Sequence, residues 1–327
     1  MNNEVRILEF IKNRGKVRAE DLRREFDISR VTIHKILLNL LEKGFISKSG
    51  KSPIVFYFYK LPAVANIVHD FSPSTIEYVN NNYLYVSPSG NMIAGIEGFE
   101  NWIKNTNQEK YIEPLIEEFI KTRTEANKFK NSIGLINATE KLKNTFRELF
   151  TDKVYFADFY SLPKFGKTIL GQKILYSKQA QLPKLIKEIA IETSPQILNL
   201  IKKLNIDSVA FIPPTVPRKI QFLKEFENNI SLPLPKIILT KAYPGDIPVA
   251  QKTLGKLEER IDNAKNTIFV KDQLIKYKNI LIIDDAVGSG STLNEVAAKI
   301  KSLNPKAKVF GYAIVGSFKG FDVISEV

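Results

Sequence analysis

Two adjacent carboxylates stand directly after a short apolar run in the last quarter of the chain. The run is residues 280–283, and Asp284 and Asp285 follow it. Next comes a loop of small and hydroxyl-bearing residues, called here the glycine-serine loop, which consists of Gly288, Ser289, Gly290, Ser291 and Thr292. Small residues let backbone N–H groups approach an anion, and a helix that begins at such a loop adds partial positive charge. Because carboxylates also accept hydrogen bonds from sugar hydroxyls, the stretch predicts a site for a ribose 5-phosphate.

Other phosphate-binding motifs fit this stretch less well. A P-loop requires G-x-x-x-x-G-K-[ST], and the glycine-serine loop contains no lysine. A dinucleotide-binding fingerprint places its acid about 20 residues after the glycines, whereas here the two acids come directly before them. An ordinary strand-to-helix turn with polar capping residues is the remaining alternative.

The thirteen residues 280–292, ILIIDDAVGSGST, resemble the signature of the type I phosphoribosyltransferases that binds 5-phosphoribosyl 1-diphosphate (PRPP). The resemblance implies that Asp284 and Asp285 hold the ribose hydroxyls and are the catalytic pair. It also implies that the glycine-serine loop binds the 5-phosphate and that Mg²⁺ accompanies the diphosphate.

A second stretch, residues 239–269, is similar to the ComF (competence protein F) subgroup of that family. A basic residue after a strand precedes a Gln-x-x-Leu, an Arg-x-x-Asn and a Phe, at Lys241, Gln251, Leu254, Arg260, Asn263 and Phe269. The resemblance covers about residues 190–320. The chain departs from the subgroup in two ways: the N-terminal zinc ribbon is missing, and the Arg-Gly-Phe-Asn segment appears only as PPTVPRKIQF.

Three cations are candidates for binding the diphosphate. Arg218 and Lys219 follow the predicted strand SVAFIPP, where phosphoribosyltransferases place their pyrophosphate loop, and Lys241 follows the next predicted strand. Cationic side chains neutralise a diphosphate through charge-assisted hydrogen bonds. The alternative is a solvated basic loop.

Composition limits the classes of function. The 327 residues suffice for about two domains, and they include no cysteine, which excludes disulfides, thiolate catalysis and cysteine-ligated zinc. No apolar run approaches the roughly 20 residues of a membrane span, and no secretory signal is recognisable, so we expect a cytoplasmic protein. The net charge of +13 favours polyanionic partners, unless a lysine-rich genome alone accounts for it.

The first 60 residues predict a winged helix-turn-helix domain, with three helices followed by a β-hairpin. They carry 13 Lys or Arg against 7 Asp or Glu, which is nearly half of the chain's excess positive charge. We expect double-stranded DNA as the partner, although many winged helices bind protein instead. The predicted DNA-binding residues lie on a recognition helix that begins after Ser29 and on the hairpin: Arg30, Thr32, Lys35, Lys48 and Lys51.

The remaining chain divides into two predicted regions. Residues 61–190 show no catalytic motif and are expected to connect or dimerise. From residue 191, helices alternate with the apolar strands SVAFIPP, KIILTKAY, NILIIDD and KVFGYAIVG, the first helix beginning at Ser194-Pro195. This alternation predicts a doubly wound parallel α/β sheet of the type I phosphoribosyltransferase kind.

Three functions are compatible with these features. The first is a homodimeric DNA-binding regulator that binds PRPP or a related ligand, a plan that resembles the purine-operon repressors of Gram-positive bacteria. The second is an active phosphoribosyltransferase, which needs no protein nucleophile. The third, suggested by the ComF resemblance, is a factor that acts on single-stranded DNA in uptake or recombination.

Overall fold

The computed structural model describes residues 3–60, 71–216, 218–272 and 274–318. The chain forms two compact units, Met1–Phe71 and Ser72–Val327, each with its own core. Within the described ranges, no helix is both long enough and apolar enough to cross a bilayer.

The first unit contains three helices and one antiparallel sheet. In chain order its elements are α1 (Asn3–Arg14), β1 (Lys16–Arg18), α2 (Ala19–Phe26), α3 (Arg30–Glu42), β2 (Ile46–Lys51) and β3 (Ile54–Tyr59). The sheet order is β1-β3-β2. One core joins all three helices to one face of the sheet, through Ile7, Ile11, Val17, Leu22, Ile33, Leu37, Leu40, Ile46 and Tyr57. The helices and the hairpin lie where the sequence predicts them, and β1 is an addition.

Helix α3 begins where its sequence contains a capping residue. The Oγ atom of Ser29 accepts a hydrogen bond from the backbone N–H of Thr32 at 3.2 Å, which satisfies one of the free donors at the helix start. Ile33, Leu37 and Leu40 then follow at helical spacing and are buried. The opposite side of α3 is left for solvent or a partner.

The second unit is a mixed α/β structure. Its first half contains α4 (Pro73–Asn82), β4 (Leu84–Val86), β5 (Met92–Ala94), α5 (Gly95–Asn105), α6 (Ile112–Asn127), β6 (Ile136–Asn137), α7 (Thr139–Lys143), β7 (Lys153–Phe159), β8 (Ser161–Leu162), β9 (Gly166–Lys167) and α8 (Ile169–Gln179). Its second half contains α9 (Pro183–Leu204), β10 (Ser208–Phe211), α10 (Phe222–Asn229), β11 (Leu239–Lys241), α11 (Leu257–Thr267), β12 (Ile268–Val270), β13 (Asn279–Val287), α12 (Ser291–Leu303) and β14 (Lys308–Gly316).

The central sheet of this unit has the strand order β10-β13-β14-β7-β6. Strands β10, β13, β14 and β7 are parallel, and β6 pairs with β7 in the antiparallel direction. The middle strands β13, β14 and β7 are mostly apolar and largely buried, as expected for a parallel sheet with helices on both faces.

The structure differs from the division predicted at residue 191. Strands β6 and β7 lie in the region predicted to connect or dimerise, yet β7 pairs with β14 from Phe310↔Lys153 to Gly316↔Phe159. The sheet is therefore assembled from residues on both sides of the predicted boundary. The sequence of an apolar strand does not indicate which distant strand it pairs with. The pairing of β7 with β14, across about 157 positions, therefore could not be predicted.

Two further predictions are corrected by the structure. The helix expected to begin at Ser194 is α9, which begins at Pro183 and contains Pro195 in its interior. Proline favours the first turn of a helix, and Pro183 occupies that position instead. Of the predicted strand KIILTKAY, residues 239–241 form β11, which pairs with β12 outside the central sheet, and Lys236 forms one isolated parallel bridge to Val209 of β10.

Candidate functional site

The two carboxylates lie in the carboxyl-terminal half of β13, in the middle of the sheet. Residues 280–283 of β13 are fully buried between β10 and β14, so the strand is held firmly up to the acidic pair. Asp284 is 9% exposed, and its Oδ1 atom accepts a hydrogen bond from the backbone N–H of Asp285 at 2.8 Å. Open α/β sheets bind ligands at this edge, beyond the carboxyl ends of the strands.

A cavity of about 290 Å³ opens at this edge. The predicted residues that line it are Asp284, Asp285, Gly288, Ser289, Gly290, Ser291, Thr292, Arg218 and Lys241. Lys219 is the one predicted ligand-binding residue that is not in the lining, although it is adjacent to Arg218. The structure thus brings two carboxylates, the glycine-serine loop and two cations from separate segments to one place.

The glycine-serine loop packs against α7 and against the segment that joins α7 to β7. Gly290 has a φ of +79°, and a Cβ atom there would lie 2.1 Å from Cδ2 of Leu142. The side-chain amide of Asn294 accepts a hydrogen bond from Phe150 N–H at 2.7 Å and donates one to the Glu148 carbonyl at 3.1 Å. Only glycine fits at residue 290, and the first turn of α12 is fixed beside the cavity.

A lysine that the sequence analysis missed also reaches the cavity. Lys178, in the last turn of α8, lines the cavity, and its Nζ atom lies 2.8 Å from Oδ2 of Asp285. Its carbonyl oxygen accepts a hydrogen bond from the guanidinium of Arg218. One residue therefore contacts both a carboxylate and a predicted diphosphate-binding cation. No sequence motif marks Lys178, because its two partners are 40 and 107 positions away.

The other cation, Lys241, is held by the segment that follows β10. Its Nζ atom donates a hydrogen bond to Oγ1 of Thr215 at 2.6 Å, and the Tyr243 hydroxyl donates to the Thr215 carbonyl at 2.8 Å. These two bonds fix the position of the Lys241 ammonium at the wall of the cavity.

Burial controls the protonation of the site. It raises the pKa of the Asp284 carboxyl well above its ordinary value of 3.8, and the neighbouring charge of Asp285 raises it further. The Asp285 N–H group and the ammonium groups of Lys178 and Lys241 act in the opposite direction. Burial also lowers the pKa of Lys241, against the attraction of Asp284. A ligand that brings positive charge or hydroxyl donors to Asp284 would favour its ionised form.

The wall of the cavity also has an apolar part. It consists of apolar and aromatic residues from α8, α10 and the segments after β7 and β10: Tyr160, Ile174, Leu175, Ile212, Phe222 and Leu223. The cavity therefore combines charged and apolar lining.

Besides Lys241, two residues named for the ComF-like stretch line the cavity, and their side chains form hydrogen bonds within their own segment. Arg260 donates two hydrogen bonds to the Leu254 carbonyl, at 2.9 and 2.6 Å. Gln251 donates to the Arg260 carbonyl at 2.9 Å and to Asn263 Oδ1 at 3.2 Å. In this structure both side chains stabilise the segment between β11 and α11.

The cavity offers few ligands to a metal ion. Its acidic residues are Asp284 and Asp285, and the described residues contain no group of three or more His, Asp or Glu arranged to hold a cation. This donor set does not suit a site built entirely from protein ligands. It does suit Mg²⁺, which is commonly bound through one or two carboxylates together with substrate phosphates and water.

The predicted DNA-binding residues are all exposed in the first unit. Arg30, Thr32 and Lys35 lie on α3, and Lys48 and Lys51 lie on β2. The Thr32 hydroxyl also lies 2.9 Å from the Ser29 hydroxyl, so it takes part in the start of α3.

Comparison with solved structures finds several similar chains, two of which are phosphoribosyltransferases as follows. A hypoxanthine-guanine phosphoribosyltransferase from Bacillus anthracis is 12% identical, with a TM-score of 0.25; the match covers 44% of this chain and 76% of that one. A hypoxanthine phosphoribosyltransferase from Staphylococcus aureus is 16% identical, with a TM-score of 0.25, over 43% of this chain and 69% of that one. No family model and no curated protein matches. The function is therefore inferred from the residues of the site.

Proposed function

We propose that the protein is a DNA-binding regulator whose second unit binds PRPP or a related phosphoribosyl ligand. One observation carries the ligand proposal: a single cavity is lined by two adjacent carboxylates, the glycine-serine loop and the cations Arg218, Lys241 and Lys178. Each group suits a different part of the ligand.

The roles follow from the chemistry of each group. Backbone N–H groups of the glycine-serine loop and the start of α12 would bind the 5-phosphate. Asp284 and Asp285 would accept hydrogen bonds from the ribose hydroxyls. Arg218, Lys241 and Lys178 would neutralise the diphosphate through charge-assisted hydrogen bonds.

Magnesium would enter this site with the diphosphate. Asp284 and Asp285 are the residues that would hold it, together with phosphate oxygens. When bound, the ion would supply positive charge that offsets the charge of the phosphates.

The first unit supplies the proposed DNA contacts. A winged helix-turn-helix interpretation assigns α3 to the major groove and the β2-β3 hairpin to the wing. The exposed side chains of Arg30, Lys35, Lys48 and Lys51 support it, because cations that contact phosphates account for much of duplex affinity. A homodimer would present two such units to a pair of half-sites. A ligand that changes DNA affinity must itself bind with different affinity in the presence of DNA.

The apolar part of the cavity wall favours a second candidate function, transfer of the phosphoribosyl group to an acceptor. Phe222 and Leu175, which line the same cavity as the acidic pair, would contact the ring of such an acceptor. Departure of the diphosphate would leave positive charge on the sugar ring, and the cations of the site would stabilise the departing group. If the protein catalyses this transfer, the variant Asp285→Asn should lose turnover of PRPP.

The regulatory function is tested with labelled duplexes from the region upstream of the protein's own gene. We expect duplex binding that weakens steeply with salt and that changes at least several-fold when PRPP and Mg²⁺ are added. The variant Arg30→Gln/Lys35→Gln should lose duplex binding and keep PRPP binding. Duplex affinity that is unaffected by PRPP would rule out the regulator, whereas diphosphate release with a nucleobase would establish the enzyme.

A further inference from the structure

The sheet of the first unit has one face that contributes no residue to the core of the unit. Its register places eight side chains on that face: Lys16 and Arg18 on β1, Ser47, Ser49 and Lys51 on β2, and Ile54, Phe56 and Phe58 on β3. We call these eight residues the outer sheet face. Directly opposed residues of an antiparallel pair share a face, and alternate residues along a strand point to opposite faces.

The other face of the same sheet packs against the helices. Val17, Ile46 and Tyr57 belong to the buried core, and Val55 and Tyr59 pack against it. Phe56 and Phe58 belong to neither group and are only partly buried. Ile54 is 49% exposed. Three large apolar side chains in a row are therefore turned away from the core that stabilises the unit, and its folding does not account for them.

Cations accompany the aromatic rings on one side. The Nζ atom of Lys16 lies 3.9 Å from the centroid of the Phe56 ring, and Cζ of Arg18 lies 4.9 Å from it. On the other side, β2 places Ser47 opposite Phe58 and Ser49 opposite Phe56. Small side chains there leave room for a planar group beside the rings.

The positive charge of the outer sheet face favours one class of partner. Lys16, Arg18 and Lys51 give the outer sheet face three positive charges, and its eight residues include no acid. An apolar protein surface would complement the rings but not the cations. A single-stranded nucleic acid complements both, because its bases stack on aromatic rings while its phosphates contact lysine and arginine.

We propose that the outer sheet face binds single-stranded nucleic acid. Bases stack on Phe56 and Phe58, and the backbone contacts Lys16, Arg18 and Lys51. A duplex does not suit this face, because its bases are already stacked on each other. The duplex contacts proposed for α3 lie elsewhere, since Ile33, Leu37 and Leu40 place α3 against the opposite face of the sheet. Lys51, in the β2-β3 hairpin, belongs to both proposed surfaces.

The test measures binding of fluorescein-labelled dT and U oligomers of about 15 nucleotides to the whole protein by anisotropy at low salt. Wild type should bind both, and Phe56→Leu/Phe58→Leu should weaken binding about ten-fold or more, because leucine keeps the apolar surface and loses the ring. Phe56→Tyr/Phe58→Tyr should retain the wild-type affinity. The same thermal midpoint in all three proteins shows that the fold is kept.

Two controls separate this surface from the duplex surface. Arg30→Gln/Lys35→Gln should leave single-strand affinity unchanged. Lys16→Gln/Arg18→Gln should reduce the slope of log affinity against log salt by about 1 to 1.5, since each lost phosphate contact contributes about 0.7.

Three results would overturn the proposal. Wild type that binds neither oligomer at low salt has no such surface. Equal affinities of wild type and the leucine variant show that the rings do not stack on bases. Self-association of the wild type that the leucine variant abolishes, without oligomer binding, makes the face a contact between copies of the chain.

Discussion

The Nζ atom of Lys178 lies 2.8 Å from Oδ2 of Asp285, and this ion pair joins α8 to the end of β13. The side chains are 28% and 21% exposed, so water weakens the attraction only in part. The pair also brings an ammonium close enough to lower the pKa of Asp284. Lys178 therefore opposes the effect of burial on the pKa of Asp284.

Replacing Lys178 with methionine should move the pH dependence of PRPP binding upward. Without the ammonium, the pKa of Asp284 rises further above its ordinary value, so the ionised carboxylate forms at a higher pH. Calorimetric titrations between about pH 5 and pH 9 measure the midpoint. The matched control is Lys173→Met, on the same helix, whose ammonium pairs with Glu192 at 2.8 Å outside the cavity lining. The same midpoint in both variants would contradict the assigned role.

Replacing Asp284 with asparagine should stabilise the protein at high pH. Because folding raises the pKa of this carboxyl above 3.8, the folded state binds its proton more tightly than the unfolded state does. The wild type therefore loses stability as the pH rises from about 4 through the raised pKa. The variant escapes this loss, and its amide oxygen can still accept the hydrogen bond from Asp285 N–H.

Thermal midpoints across this pH range test the linkage. The advantage of Asp284→Asn should be absent near pH 4 and grow with pH. The exposed Asp262→Asn, on α11, serves as the control and should show no such trend. A variant that is less stable than wild type at pH 8 would refute the linkage.

Gly290→Ala should disturb the glycine-serine loop through a specific contact. The added Cβ atom would lie 2.1 Å from Cδ2 of Leu142, at a φ of +79°. We expect a loss of about 1–3 kcal/mol in the free energy of unfolding, together with weaker PRPP binding. The same change at Gly166 has a similar φ of +73° with no atom within 4 Å, so it should cost only the backbone strain.

A double variant identifies the clash as the cause. Leu142→Ala removes the clashing atoms, so Gly290→Ala should cost less in that background than in the wild type. Equal costs in both backgrounds, measured by urea denaturation, would mean that the Leu142 contact is not what selects glycine.

Arg123 should be among the most important charged residues for stability. Its guanidinium bonds both oxygens of Asp158, at 2.8 and 2.7 Å, and each side chain is 8% exposed. Arg123→Met would leave the buried Asp158 with the Phe159 N–H at 2.9 Å and the more distant Lys130 ammonium at 3.8 Å, and should cost about 3–5 kcal/mol.

An exposed ion pair provides the comparison for Arg123. Lys143→Met breaks a pair with Glu140 in which the side chains are 56% and 78% exposed, and should cost less than about 0.5 kcal/mol. Similar costs for the two changes in urea unfolding would show that the Arg123–Asp158 pair does not stabilise the fold.

The part of the site that is continuous in sequence could be predicted, and the part assembled from distant segments could not. Strand, carboxylates, loop and helix occupy residues 279–303, so local spacing was sufficient to place them. Lys178 and β7 reach the site or its sheet only through pairings across more than 100 positions, which hydrophobic periodicity does not encode. Likewise, Arg218 and Lys219 are adjacent in sequence, and only the course of the chain decides that Arg218 lines the cavity.

The sequence rule for the start of a helix also failed, because two prolines satisfied it equally well. Pro183 and Pro195 each fit the first turn of a helix, and burial of Leu185, Ile186 and Ile189 favours the longer α9. The exposed positions of α3 could be predicted, because they follow directly from the helical spacing of its buried residues.

Calorimetric titration of PRPP with Mg²⁺ into wild type and Asp284→Asn/Asp285→Asn tests the central claim most directly. We expect wild-type dissociation in about the micromolar range and loss of binding in the double variant, because the ribose hydroxyls lose their charged acceptors. Glu258→Gln/Asp262→Asn, two exposed acids of α11, removes the same charge and should bind like wild type. Equal heats from the wild type and the Asp284→Asn/Asp285→Asn variant would contradict the claim that the second unit binds a sugar phosphate at this acidic pair.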